Sequence, residues 1–509
     1  VKGVNEEHER FKKHKVFKAV PRAEVPLASK ILTSTWAMKK KASGIFRARL
    51  NARGYEQVPG KHYDPNSIAA PVTSDVTIRI VLTLLLLARW YAELIDVKGA
   101  FLHGEFEEGE TLYMEIPEGF EQYYPEDYVW MLLRTIYGLK QAAVAFWRQL
   151  ILAFASMNYL RSKADPCLYF DWTKEGLTVW ISWVDDCLVA GAKKGVLFAK
   201  GQMTERFDCE ELGEVDEYVG CKVDRNHEEN SIKMTQPVML QSFSDEFNLP
   251  DGPAPNTPAT PGSALVKADP EDCIPADQLF KYRSGVGKLL HMMRWSRPEI
   301  LNAVRELSRY MSGASLAHVK AMHRTMKYCV GSPERGLLLK PIGKWDGNPS
   351  YEFVITGRSD SDYAKDTDTR RSVSGTSTFL NGSPIHTRSN TQKSVTLSVT
   401  EAELVAATQC AQDMLFAMRV IESMGLKVKK PMILEIDNKG AVDLTHNWSV
   451  GGRTRHVEVR QYFLRDLKED GVIWSKWISG DSNSSDLFTK NLGGPLFEKH
   501  LSTYCGDYG

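Results

Sequence analysis

Two adjacent aspartates, Asp185 and Asp186, stand inside the otherwise apolar run ISWVDDCLVAG (181–191). Side by side and half-buried they repel each other and lose hydration, so the pair requires either a cation or a turn that exposes it to water. The first reading is a metal site. The second is an Asp-Asp hairpin connection, since Asp is a turn residue. A third aspartate, Asp96, ends the apolar AELI of YAELIDVKGAFLHGE (91–105) and precedes small residues and Phe101. One acid closing a strand and two at a hairpin tip could converge on two Mg²⁺ ions, because Mg²⁺ takes one or two carboxylates together with waters and substrate phosphates. Two such ions about 4 Å apart can activate a 3′ hydroxyl and stabilise departing pyrophosphate in an in-line nucleotidyl transfer.

A second group of acids lies further on: Asp360 in GRSDSDYA, Glu403 in TEAELVAA, Asp437 in LEIDNKGA and Asp486 in NSSDLFTK. Singly, each reads as an exposed surface acid. In order, one at a strand, one on a helix, one at a later strand and one near a terminal helix, they form the arrangement expected of a two-metal nuclease. Asp362 and Glu401 are neighbouring alternatives at two of these positions; Asp360 most directly continues the strand FVITGRS.

The elements that must position these acids are legible in the pattern. LTVWISWV (177–184) and CLVAG (187–191) are rich in β-branched and aromatic residues and predict a hairpin with the acids at its tip. Prolines at 250, 253, 255, 258, 261, 270 and 275 deny helix and central strand, so 249–278 is expected to be an extended connector between domains. RPEILNAVRELSRYM and LAHVKAMHRTMKYCV follow. Ile300, Val304, Leu307 and Met311, then Leu316, Val319, Met322 and Met326, recur at spacings of three and four and predict an antiparallel helix pair broken at SGAS. Arg305, Arg309, Lys320, Arg324 and Lys327 lie off those stripes, where they face either phosphate or solvent. From Tyr351 the runs YEFVITGRSD, VSGTSTFLNG and SPIHTRS, the helical TEAELVAATQCAQDMLFAMRVIESMG and the strand MILEIDN predict a mixed α/β domain ending in helical and loop segments.

Composition narrows the class. A chain of 509 residues is expected to hold about three domains, and 43% hydrophobic with 25% charged residues is ordinary for a globular protein. The apolar stretch Ile80 to Ala88 is far short of the roughly 20 residues that span a bilayer, and the N-terminus has no signal-peptide pattern, so a soluble intracellular chain with no membrane partner is expected. Eight cysteines without a Cys-x-x-Cys pair argue against zinc sites and a disulfide framework, leaving reduced thiols. The 64 basic and 64 acidic residues cancel, but residues 1 to 64 hold 10 Lys and 5 Arg against 6 acids. Basic residues interleaved with aromatics suit a phosphate-lined groove, and equally a solvated face.

DVKGAFLHGE, YGLKQAAVAFW and WVDDCLVAG, in this order, closely resemble the polymerase motifs of copia-type (Pseudoviridae) LTR retrotransposon reverse transcriptases. The resemblance continues upstream in FRARLNARGYEQVPGKHYD and downstream in YRSGVGKLLHMMRWSRPEILNAVRELSRYM, and covers nearly the whole chain from about residue 10. It implies an α+β right-hand polymerase (fingers, palm, thumb) followed by an α/β ribonuclease H-like domain. The implied boundaries are 1–248 for fingers and palm, 249–278 for the connector, 279–345 for a helical thumb or connection, and 346–509 for ribonuclease H.

By the same resemblance Asp96 and Asp185 are the principal metal ligands and Asp186 completes the acidic cluster. Phe101 sits where the family places an aromatic gate against the nucleotide sugar; a flat ring there would clash with a 2′ hydroxyl, and the alternative is a core Phe. Gly138, Leu139, Lys140 and Gln141 match the loop beside nucleotide and template, which makes Lys140 and Gln141 nucleotide-binding candidates. Arg47, Arg49 and Arg53 match a basic fingers strand that would neutralise the triphosphate. Asp360, Glu403, Asp437 and Asp486 resemble the four acids of the ribonuclease H domain, and EAEL resembles the family's helix start, favouring Glu403 over Glu401. His456 in GRTRHVEVRQYF matches a family motif, either as a nucleic-acid contact or as a structural hydrogen bond.

Three departures qualify the match. Trp183 replaces the usual Tyr, keeping a flat apolar surface against the primer end but losing the phenol hydroxyl. Ala143 replaces the usual Pro and is expected to loosen a loop. Many cellular ribonucleases H carry a histidine before the last acid, and WISGDSNSSD has none. The implied activity is copying retrotransposon RNA into DNA and degrading the RNA of the hybrid, with two Mg²⁺ per active site, or Mn²⁺ in its place. The implied partners are an RNA template, a DNA primer strand, the RNA/DNA hybrid, deoxynucleoside triphosphates and other parts of the polyprotein. The expected place is the cytoplasm, within virus-like particles. The alternative is a catalytically inactive relic that binds nucleic acid, or a chain with one working site.

Overall fold

The computed structural model describes residues 2–40, 46–446 and 458–506. They form two compact units, the first of Val1–Thr73, Ala92–Ser162 and Pro166–Gly213, the second of Ser74–Tyr91, Lys163–Asp165 and Glu214–Gly509. The helix Asp75–Leu87, capped by Ser74 and buried from Val76 to Leu87, therefore belongs with the C-terminal part. Among the described residues no helix is long and apolar enough to cross a membrane. All eight cysteines are free, as the scattered spacing predicts.

The first unit holds a six-stranded sheet in the order Cys209–Glu214, Tyr91–Val97, Asp186–Gly191, Gly176–Trp183, Leu168–Thr173, Leu160–Arg161. The helix Lys193–Arg206 packs on its two hairpin strands. Their antiparallel register runs from Thr178 opposite Gly191 to Trp183 opposite Asp186. The two turn residues are thus Val184 and Asp185, one position earlier than the expected Asp-Asp connection. Burial of Val179, Trp180 and Ile181 against Leu188 and Val189 fixes this register, because a one-residue slip would turn every buried side chain to the opposite face. The consequence is a β-branched residue, Val184, at φ +58°. Holding a bulky residue in the left-handed region costs about 1–2 kcal/mol, which the paired strands must offset.

The same unit carries a four-stranded sheet in the order Phe17–Pro21, Tyr128–Leu132, Leu112–Glu115, Ile31–Leu32, and a separate ribbon of Ser34–Lys40 with Phe46–Ala52. Phe11, Leu50, Leu102, Trp130, Ile136 and Tyr137 share one core, which anchors the ribbon and the turn after residue 97 to the same apolar centre.

In the second unit the mixed sheet runs Ser383–Thr391, Val373–Leu380, Ile355–Asp362, Met432–Ile436, Ile473–Trp477. The first three strands are antiparallel and the last two are added in parallel, with the helix Val399–Ser423 packed across them. Ile473–Trp477 is a strand in the region where the sequence predicts helical and loop segments. It buries only Ile473 and Ser475, too short an alternation to stand out.

The expected helix pair is Leu301–Ser308 and Leu316–Val330, with Val304, Leu307, Met322 and Met326 in a common core. Its basic residues mostly have structural partners. Arg305 is buried, donating to Asn302 Oδ1 (2.8 Å) and Thr391 Oγ1 (3.2 Å), and so does not face phosphate. Arg309 pairs with Asp366 at 2.6 Å, while Lys320 is exposed.

Arg324 donates to Thr257 Oγ1, and Lys327 to the carbonyls of Pro250 and Asp251. Tyr310 Oη donates to Leu265 O, and Asn491 Nδ2 to Ser263 O. The proline-rich 249–278 is therefore a strap fastened within the second unit rather than a free connector. Prolines remove ladder donors, and the side chains of Lys327, Tyr310 and Asn491 satisfy carbonyls of the strap instead.

Candidate active sites

The strand Tyr91–Val97 lies directly beside Asp186–Gly191. Val97 N donates to Asp185 O at 3.0 Å, which fastens the end of the Asp96 strand to the hairpin tip. Asp96, Asp185 and Asp186 are all partly exposed. Burial, then the charges of Asp185 and Asp96, hold the Asp186 carboxyl up at about 6. Burial, then Asp185 and Glu210, raise Asp96, against the lowering influence of Arg47 and Arg49. Burial and neighbouring carboxylates raise both Asp96 and Asp186, so the centre is short of positive charge.

Arg47 and Arg49 alternate along the strand Phe46–Ala52 and so share a face. The Arg49 guanidinium stands 4.9 Å over the Tyr137 ring, and Tyr137 meets Phe101 edge-on at 5.3 Å. Arg53, one residue past the strand, instead donates to Thr33 Oγ1. Of the three arginines, Arg47 and Arg49 are the two whose charge reaches Asp96. Phe101 is half-buried on the short turn Ala100–His103, which opens at Gly99 (φ +63°), and its carbonyl accepts from Thr135 Oγ1 at 2.6 Å.

The loop Gly138–Gln141 is pressed onto the ribbon. A Cβ on Gly138 (φ +90°) would come within 2.1 Å of Ala52 O, and Ala52 N donates to Tyr137 O. Lys140 is exposed. Gln141 is 5% exposed and its amide is committed, with Nε2 donating to His62 O and Oε1 accepting from Gln57 Nε2, both at 2.9 Å. Gln57 Oε1 also accepts from Lys140 N at 2.8 Å. Gln141 thus locks the loop rather than presenting its amide to a nucleotide. Gln57, to which sequence reading gave no role, is its clasp. Ala143 lies second in the helix Ala142–Ser156, a first-turn position that Pro tolerates and Ala favours, so the expected loosening of a loop does not arise.

The second acidic centre is tighter. Among the described residues, Asp360, Glu403 and Asp437 bring their ligand oxygens within 4.8 Å of one another, and the hairpin acids are not gathered so closely. Asp360 is on the central strand and 1% exposed. Ser359 pairs with Ile436 on the parallel neighbour, which sets Asp437 alongside Asp360. Glu403, 3% exposed, projects from the helix Val399–Ser423; its Oε1 accepts from Ser361 N (3.1 Å) and Oγ (2.8 Å), while Oε2 is buried without a hydrogen-bond partner. Burial, then the charges of Asp360 and Asp437, push the Glu403 carboxyl well up.

Asp486 stands on the short turn Ser484–Phe488, capped by Asn483, whose Nδ2 donates to Ser359 O at 2.8 Å and ties the turn to the same strand. Burial, then Asp360, hold the Asp486 carboxyl up at about 7. This fourth acid joins the others through a residue the sequence reading passed over. Lys490 Nζ lies 3.2 Å from Asp360 Oδ1 and 2.7 Å from Asp486 Oδ1, and Thr489 Oγ1 donates to Asp360 Oδ2.

The alternatives are accounted for elsewhere. Asp362 pairs with Lys365 at 3.1 Å, and Glu401 Oε2 accepts from Leu397 N at the helix start that Ser398 caps. His456 lies outside the described residues. Three converging carboxylates with a buried, unpartnered Glu403 oxygen suit a hard divalent cation, since such ions take oxygen donors.

Residues 15–261 match the family described as reverse transcriptase (RNA-dependent DNA polymerase). Over 508 residues the chain is 31% identical to the retrovirus-related Pol polyprotein from transposon TNT 1-94 of Nicotiana tabacum, covering 98% of this chain and 37% of that protein. It is 27% identical over 464 residues to the polyprotein from transposon RE1 of Arabidopsis thaliana, covering 90% of this chain and 30% of that one. The chain thus spans about a third of the length of the curated relatives it matches.

A foamy viral protease-reverse transcriptase, solved in complex with double-stranded DNA, superposes with a TM-score of 0.50 at 11% identity, over 94% of this chain and 69% of that one. The fold is accordingly an α+β right-hand polymerase followed by a ribonuclease H-like domain. Because the likeness runs the length of the chain instead of stopping at the short motifs, we conclude that it belongs to the copia-type family of retrotransposon Pol polyproteins and carries their reverse transcriptase region.

Proposed function

We propose that the chain is an RNA-directed DNA polymerase with ribonuclease H activity, extending a DNA primer on retrotransposon RNA and degrading the RNA strand of the resulting hybrid. The observation that carries this reading is the pair of separate carboxylate centres, Asp96, Asp185 and Asp186 in one unit and Asp360, Glu403, Asp437 and Asp486 in the other. Two Mg²⁺ ions, or Mn²⁺, held at each centre would activate the attacking oxygen and neutralise the leaving one. The protein's own groups do the positioning. Arg47 and Arg49 face the triphosphate, Lys140 offers an exposed ammonium beside it, and Phe101 fills the space a 2′ hydroxyl would need. In the nuclease, Ser361 orients Glu403, and Thr489 orients Asp360. Under the same proposal this work takes place in the cytoplasm, within virus-like particles, with deoxynucleoside triphosphates, template, primer and the remaining Pol segments as proposed partners.

Two variants separate these roles. Phe101→Ala is expected to narrow the preference for deoxynucleotides over ribonucleotides by about tenfold to a hundredfold, ~1.4–3 kcal/mol, in kcat/KM ratios. An unchanged ratio would return Phe101 to the core. Gln57→Ala leaves the buried Gln141 Oε1 without its partner, a cost of about 1–3 kcal/mol, and removes the acceptor of Lys140 N. It is expected to lower Tm and raise the KM for nucleotide more than it lowers kcat, with hybrid cleavage unaltered. Equal KM in both proteins would remove Gln57 from nucleotide positioning.

The nuclease half is tested with an RNA labelled at its 5′ end. Paired with DNA it should be shortened by the chain in Mg²⁺, whereas the same RNA alone or paired with RNA should stay intact. Equal cutting of all three would contradict the assignment.

A further inference from the structure

We propose that Lys490 holds, in the free protein, the place of one of the two divalent ions of the nuclease centre, so that this centre loads a single ion until an RNA strand draws Lys490 away. The inference rests on the ribonuclease H reading above.

Asp360 is shared between two sides of that centre. On one side its oxygens meet those of Glu403 and Asp437 within 4.8 Å, and Glu403 Oε2 is buried with no hydrogen-bond partner. This is an open position with unmet demand for positive charge. On the other side Asp360 faces Asp486, and there the demand is met, because Lys490 Nζ bridges the two carboxylates at 3.2 and 2.7 Å. A divalent ion joining the same two oxygens would sit about 2.1 Å from each and overlap the ammonium. The two cations exclude one another.

The lysine is built to leave. Its side chain is 35% exposed, it follows the turn Ser484–Phe488 without belonging to a helix or strand, and its stem has four rotatable carbons. A phosphodiester arriving at the centre offers the ammonium another anion. Departure then uncovers Asp360 and Asp486 for the second ion only while substrate is present, since a ligand shifts such an equilibrium only through what it binds better in one state. Lys490 Nζ bridges the buried Asp486 to Asp360.

The test counts Mn²⁺ bound per full-length chain, from the electron paramagnetic resonance signal of free Mn²⁺, without nucleic acid. Lys490→Met should bind one more Mn²⁺ than the wild type, Lys490→Arg no more, and the added ion should vanish in Lys490→Met/Asp486→Asn. The palm acids are common to all four proteins and cancel. A non-cleavable hybrid of 2′-O-methyl RNA and DNA should add one ion to wild type and none to Lys490→Met, compared on an Asp185→Asn background so that duplex at the palm does not change the count. Equal counts for wild type and Lys490→Met, with no ion gained on hybrid, overturn the inference. If Lys490→Met fails to fold, Lys490→Gln and the hybrid arm decide it. Cleavage of hybrid RNA by the wild type is measured in parallel. Cleavage with equal Mn²⁺ counts sinks the role of Lys490 and leaves the nuclease standing. Absence of cleavage sinks the nuclease reading, while the counts still decide whether Lys490 excludes an ion.

Discussion

Replacing Asp185 by Asn is expected to slow primer extension on an RNA template by about 10³-fold or more, ~4 kcal/mol, while cleavage of RNA in a preformed hybrid changes by less than about twofold. The size follows from what Asn keeps and what it loses. The backbone role survives, because Val97 N bonds to the Asp185 carbonyl, and Asn suits a turn residue as well as Asp does. The hairpin, with Val184 already held at φ +58°, should therefore form as before. What disappears is one of three mutually repelling charges.

Asp186, held up at about 6 by burial and by Asp185 and Asp96, should move down toward the ordinary carboxylate range, and Asp96 with it. The variant should be as stable as the parent, or more so, and still bind primed template. Extension within tenfold of wild type would remove Asp185 from the chemistry. Loss of hybrid cleavage alongside it would mean that the fold, and not the site, had been damaged.

Glu403→Gln is the matching experiment in the second centre, and its signs run in opposite directions for activity and stability. Cleavage of hybrid RNA should fall by about 10³-fold or more, because the tightest trio of carboxylates loses a charge where divalent ions would be held. Stability without metal should rise by about 1–3 kcal/mol. Glu403 is nearly fully buried, one of its oxygens has no hydrogen-bond partner, and Asp360 and Asp437 press further negative charge against it. A Gln keeps the acceptor that Ser361 N and Oγ use, and turns the orphaned oxygen into an amide that can donate to those carboxylates.

Mg²⁺ should raise the Tm of the wild type and leave that of Glu403→Gln nearly unchanged, and chelation should reverse the gain in the wild type alone. A variant that melts lower than the parent in chelator would show that Glu403 is there for the fold. Primer extension by Glu403→Gln should match the wild type.

Most of the acids were legible because they stand in a strand, just after one or near the start of a helix whose pattern is local. AELI before Asp96, FVITGRS before Asp360 and MILEI before Asp437 are short strand-forming runs that lead directly into the acid. The positions sequence could not settle depend on contacts between distant segments. Gln57 and Gln141 are 84 residues apart, and Lys490 and Asp360 are 130 apart. No local periodicity announces either pair.

Arg305 looked like a surface charge because it lies off the apolar stripe, yet its guanidinium is spent on Asn302 and Thr391 inside the core. The hairpin tip was misplaced by one residue for a related reason. Asp-Asp is the better turn by composition, but the buried faces of the two strands set the register, and Val184 took the strained position. The proline-rich strap shows the same limit. Its composition excluded sheet, but the helix Ala276–Trp295 begins within its last residues, and composition could not show which side chains would receive its carbonyls.

The most direct measurement follows both strands of one complex, a fluorescent DNA primer annealed to an RNA template that carries a second label. With the intact chain, Mg²⁺ and the four deoxynucleoside triphosphates, the primer should lengthen to the end of the template while the RNA behind it is cut to short fragments. A complex that the chain binds but leaves unchanged in both strands, in Mg²⁺ and in Mn²⁺, would contradict two working active sites and make the protein a nucleic-acid-binding relic.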